Sequence, residues 1–213
     1  MGLSIHYQGN FKNANSLPLM IEEVVTIAKA NCWNYFIFEN EFPNKTFTSI
    51  PEKENLYGIC ISPPDCEMVS FSFLSNGKMC GAEKLQFNKH LETLEDDENL
   101  YYLHTKTQYA GIEIHKKIII LFDYLSATYF DNFELKDEGQ FWETRDEELG
   151  QLGIELINAQ TDFDKAETHL REMKSRTIGA LNGAKNGTID GQIVVTLSQR
   201  AGGAPYLTIK KAK

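Results

Sequence analysis

Two histidines, an acid and a Gln-Tyr pair crowd into the stretch "HTKTQYAGIEIH", residues 104–115: His104, Gln108, Tyr109, Glu113 and His115. They fall where an expected strand ends and the helix it feeds begins, a joint that brings side chains together. Histidine beside carboxylate is the chemistry of zinc ligation or of general acid–base catalysis. A metal-assisted hydrolase using His104, His115 and nearby acids is therefore one reading. The spacing fits no zincin-type motif, however, and His115 lies on one helical stripe with Ile118, Ile119 and Phe122, which marks it as a partly buried structural histidine. No catalytic residue, metal ligand set or cofactor is assigned. G-x-G-x-x-G, Walker A, G-x-S-x-G, H-E-x-x-H and paired C-x-x-C patterns are all missing.

Two further stretches carry reactive residue types. "DEGQFWETRDEE" (137–148) surrounds Trp142 with carboxylates, suited to paired-acid catalysis or to holding a flat cationic ligand. Glu143, Asp146, Glu147 and Glu148 are also what a helix N-terminus attracts, because its dipole favours negative charge. "SPPDCE" (62–67) sets Cys66 next to Asp65, but with no histidine or helix N-terminus in sequence to activate the thiol it reads as a tight inter-strand turn.

Patterning supplies the scaffold. Residues 4–8 form a short strand, and Ser16 with Pro18 opens a helix carrying Leu17, Met20, Ile21, Val24, Ile27 and Ala28. "NYFIFE" (34–39) suits a strand covered on both faces. "LYGICIS" (56–62) and "VSFSFL" (69–74) alternate, with Val69, Phe71 and Phe73 inward and Ser70 and Ser72 outward. Asn76-Gly77 signals a hairpin leading to a third strand towards Phe87, and "HLETLEDDEN" (90–99) is an acidic connector. A strand over 101–107, a helix over 112–129 and a strand over 132–138 follow. At an offset of 98, His6 falls on His104, Ile21 on Ile119 and Ile37 on Leu135, so residues 5–39 and 103–137 read as a duplicated β-α-β unit. The two histidines would then be symmetry mates on adjacent strands, and His6, His104, Gln108, Tyr109, His115 and Trp142 are the ligand-binding candidates.

The most periodic segment is 145–174. Leu149, Leu152, Leu156, Ala159, Phe163, Ala166, Leu170 and Met173 keep a 3-4-3-4-3-4-3 spacing, the seam of a helix that packs on another helix. Thr144 and Glu147 suggest a capping box at its start, and Gly150 and Gly153 weaken its first turns by about 1 kcal/mol each. Leu149, Leu152, Leu156, Phe163, Leu170 and Met173 are the partner-interface candidates. From 177 the composition turns basic and Gly-rich, with turn signals at Asn182-Gly183, Asn186-Gly187 and Asp190-Gly191. "QIVVTLS" and "YLTIKK" read as a late hairpin.

The expected architecture is α+β: a largely antiparallel or mixed sheet with helices on one face (1–143), a long amphipathic helix (144–176) and a tail or hairpin (177–213). With 42% hydrophobic residues, 13 Phe and 9 Tyr, the chain can build a core. A net charge of −9 argues against a nucleic-acid partner. No run reaches the roughly 18 apolar residues of a membrane span, the N-terminus lacks a signal-peptide pattern, and four dispersed cysteines suit a reducing cytoplasm. Three functions follow as expectations. The first is a cytoplasmic, non-catalytic protein-interaction protein, self-associating or neutralising a basic partner in the general manner of immunity proteins. The others are a small-molecule binder with an aromatic, acidic pocket and the hydrolase described above.

Overall fold

The computed structural model describes residues 3–52, 54–88, 100–181, 186–189, 193–198 and 206–211. The chain divides into two compact units, Met1–Asn158 and Ala159–Lys213, with the division falling inside its longest helix.

The first unit is α+β. Strands β1 (Ser4–Phe11), β2 (Asn34–Ile37), β3 (Tyr57–Ser62), β4 (Val69–Phe73), β5 (Leu103–Lys106) and β6 (Phe130–Asp137) form two antiparallel sheets, ordered β5-β1-β6 and β2-β3-β4. Short bridges at Asn10–Lys78 and Phe73–Met79 join the sheets. Beside them, Glu67 pairs with the Lys106 backbone. In the gap between those two contacts a relay of hydrogen bonds takes over. Ser70 N donates to the Tyr7 hydroxyl at 3.0 Å, that hydroxyl lies 3.5 Å from Thr105 Oγ1, and Thr105 donates to the Met68 carbonyl at 3.1 Å. A buried backbone N–H left alone would cost about 1–3 kcal/mol, so Tyr7 completes the seam between sheets.

Helices α1 (Leu17–Ala30) and α3 (Gly111–Tyr129) share one core with the sheets, where Leu17, Met20, Val24, Ile118, Phe122 and Leu125 meet Tyr7, Ile59, Phe71 and Phe73. The two helices also touch directly, through Lys117 to Asn31 and Tyr124 to Glu23. The third strand expected towards Phe87 is short extended chain at Lys78–Cys80, followed by helix α2 (Ala82–Asn88). Leu85 of α2 packs with Leu56, Leu74, Cys80 and Leu100 in a second cluster. Leu74 and Cys80 alternate with the core-facing Phe73 and Met79, so this cluster covers the other face of the sheet. That explains a second difference: Ser70 and Ser72, expected outward, are buried, and Ser72 donates to the Cys80 carbonyl. "NYFIFE" differs in the opposite sense, because β2 is an outer strand paired with β3 and its four residues are exposed. The connector 90–99 lies outside the described residues.

Short helix α4 (Phe141–Thr144) ends at Arg145 in the left-handed region, and α5 runs from Glu147 to Leu181, about 52 Å of helix. The cap is two residues later than the Thr144 box: Asp146 Oδ1 accepts the Glu148 N–H and its carbonyl accepts Gly150 N–H. Thr144 instead donates to Gln140 and accepts from Asp146 N. In the second unit the late hairpin is present as β8 (Ile193–Ser198) with β9 (Tyr206–Lys211), extended to a third strand by β7 (Asn186–Ile189). Asn186-Gly187, expected as a turn, sits within β7, where a Cβ on Gly187 would lie 2.9 Å from Leu181 Cδ2. The other two turn dipeptides lie outside the described residues. No described helix is long and apolar enough to cross a membrane.

Gly58 in β3 has φ of +121°, and a Cβ there would sit 2.3 Å from the Phe71 carbonyl oxygen. Backbone cannot yield as a flexible side chain can. Gly58→Ala is expected to cost about 3 kcal/mol, lowering the melting temperature by about 6 °C or more in a circular dichroism melt.

Candidate functional site

The joint at residues 104–115 separates into two places on opposite faces of the sheet. Along β5, Leu103 and Thr105 point into the core, so His104 faces out, and His115 enters the interior from the first turns of α3. Tyr109 and Glu113 are exposed, and Gln108 is buried. The six ligand-binding candidates therefore do not line one pocket.

The interior place is a buried line of three side chains. Thr107 Oγ1 lies 2.8 Å from His115 Nδ1, and His115 Nε2 lies 3.0 Å from Asp137 Oδ2. Nε2–H donates to the carboxylate, and Nδ1 pairs with the threonine hydroxyl, which can donate or accept. Asp137 closes β6 and gathers three backbone donors: Gly139 N–H on Oδ1 at 2.7 Å, and Phe141 and Trp142 N–H on Oδ2 at 2.8 and 3.1 Å. Burial by itself would raise the Asp137 pKa, but the hydrogen bond and charge of the His115 ring, with the backbone donors, outweigh it and hold the carboxyl below the ordinary aspartate range. A hydroxyl–histidine–aspartate order is that of an activated nucleophile. Here all three residues are buried, so the set acts as a latch joining β5, α3, β6 and α4.

The exterior place is the other face of β1 and β5. His6 and His104 are directly opposed in the antiparallel register. Their rings are 6.1 Å apart, Tyr102 stacks on His6 at 5.5 Å, and Glu138 Oε1 lies 3.6 Å from His6 Nε2. The strand order is not itself twofold, since β6 neighbours β1 whereas β2 neighbours β3. A cleft of about 200 Å³ beside His104 is lined by Glu67, Ser70, Glu83 and Lys84, and His6 is not part of it. Among the described residues no group of three or more His, Cys, Asp or Glu is placed to hold a metal ion.

The Trp142 region also has a local explanation. The Arg145 guanidinium lies 4.8 Å over the Trp142 ring and pairs with Asp123 at 2.8 Å, so the chain's own cation occupies that face. Glu143 accepts the Asp137 N–H. Burial, followed by the charge of Glu67, pushes the Cys66 thiol up to about 12, the opposite of an activated nucleophile.

The partner-interface candidates lie on α5, whose first turns dock through a different stripe. A Cβ on Gly150 would come within 3.2 Å of Ile112 Cδ1, and one on Gly153 within 3.5 Å of the Gly139 carbonyl; Ile154 is buried and Asn158 reaches the Gln108 carbonyl. The glycines that weaken the helix are what allow it to lie this close. The seam is turned elsewhere: Leu152, Leu156, Phe163, Leu170 and Met173 are 55, 72, 64, 50 and 43% exposed. The Leu149 side chain lies outside the described residues. Sequence reasoning missed this docking stripe: Gly150 and Gly153 read only as weakening the helix, and no sequence signal separates a packing glycine from a weak one. Set against protein-family models, curated proteins and solved structures, this chain matches none.

Folding lowers the Asp137 pKa below its ordinary value of 3.8, so the latch contributes its full stability above that value and loses it as pH falls through the lower, folded value. Urea denaturation from pH 7 to pH 3 is expected to show this loss. Asp137→Asn is expected to cost about 3 kcal/mol or more at pH 7 and to flatten the acid limb.

Proposed function

We propose that this chain is a non-catalytic protein-interaction module that lays the seam of α5 against a second helix. The observation that carries the reading is accessibility. From Asp162 to Arg176 every residue of α5 is exposed. Side-chain pairs within this stretch, such as Glu167–Arg171 and Asp162–Lys165, add about 0.2–0.5 kcal/mol each on a solvated helix. Yet it presents Phe163, Leu170 and Met173 in register, each worth about 1.5–3 kcal/mol if buried. A solvated spacer helix needs none of these side chains. An apolar stripe flanked by charge is the pattern of a helix that meets another.

Sedimentation of the whole chain across a micromolar range is the direct test. The expected outcome is an associated species that Leu156→Asp with Phe163→Asp returns to monomer, while the melting temperature stays within a few degrees because both positions are exposed. A chain that is monomeric throughout and that Leu156→Asp unfolds overturns the reading.

A further inference from the structure

The seam has an internal order that selects both its partner and its direction. Along α5 its large and small members alternate as Leu156, Ala159, Phe163, Ala166 and Leu170, and the large Met173 follows. One flank of the seam carries Glu155, Asp162, His169 and Arg176, running from acidic to basic; the other carries Gln160, Glu167 and Lys174. From these two patterns, and resting on the interaction role proposed above, we infer that the partner is a second copy of this chain, its α5 running antiparallel with the twofold axis between Asp164 and Lys165.

In that register Phe163 faces Ala166 of the second copy, Leu170 faces Ala159 and Leu156 faces Met173. Small thus meets large at the two central layers, the arrangement that fills a helix interface without voids. The flanks agree. Glu155 of each chain meets Arg176 of the other, so opposite charges line the seam at two places in the dimer, and Asp162 meets the His169 ring, which can donate a hydrogen bond to it. The parallel alternative is worse on both counts. It stacks Phe163 on Phe163 and Ala159 and Ala166 on themselves, alternating bulges with cavities. It also sets Asp162 against Glu167 and His169 against Lys174, two pairings without attraction. Glu155 and Arg176 lie 21 positions apart in the sequence of α5, well beyond the i, i+4 reach of a pair within one helix.

Charge exchange tests the register. Glu155→Lys and Arg176→Glu are each expected to weaken the self-association constant of the whole chain at least about threefold, measured by sedimentation equilibrium at low salt. The double variant restores it to near the wild-type value. Circular dichroism confirms that helix content is retained, since both sites are exposed. Single variants without effect, or a double variant no better than either single, overturn the antiparallel register while leaving association through the seam intact. A wild-type chain that never associates removes the interaction reading together with the register.

Discussion

One buried carboxylate organises the first unit. Asp137 is closed off from water, so its charge must be answered by donors, and it draws them from everything nearby: the His115 ring and the backbone of Gly139, Phe141 and Trp142. Satisfying it fixes the end of β6, the entry of α3 and the tight turn into α4 at once. Gly139 is central to that turn, because a Cβ there would press on both Asp137 Oδ1 and His115 Nε2, at 3.1 and 3.2 Å. The bare backbone surface left at Gly139 is then what Gly153 of α5 lies against. The face by which the first turns of α5 dock is thus set by a polar latch and a glycine contact.

This separation of stripes is the physical content of the functional reading. A helix with one apolar stripe uses it on its own core. Helix α5 docks instead through glycine, Ile154 and Asn158, and the described leucines of its stripe, Leu152, Leu156 and Leu170, are exposed. The catalytic and ligand-pocket alternatives draw less support from the same geometry. The histidine with a hydroxyl and a carboxylate in line is sealed, the tryptophan among acids is covered by Arg145, and the cysteine beside an acid is held protonated by burial. The opposed His6 and His104 remain at the surface beside a small cleft, with no third ligand in place among the described residues.

Much of the fold was legible because its signals are local. The 3.6-residue period of α1 and α3, the 3-4 spacing of α5 and the alternation of β8 and β9 each report one element, and each element is there. His6 and His104 are paired across β1 and β5, but the strand order around them does not share the twofold of a duplicated unit. What could not be read depends on partners distant in sequence. Whether Ser70 and Ser72 are outward is decided by α2, which covers that face, and whether β2 is covered is decided by what fails to pack on it. The pairing of His115 with Asp137 spans 22 positions and has no periodic signature. Helix initiation shifted by two residues because Arg145, in a left-handed conformation, ends α4 before Asp146 can cap α5.

If the leucine stripe of α5 is covered when the protein works, amide hydrogen exchange reads that cover residue by residue. If the account is right, protection between residues 156 and 173 rises steeply with protein concentration, while protection in β1, β3 and α3 does not change. Exchange in 156–173 that is equally fast at every concentration, or equally slow in the most dilute sample, would contradict it.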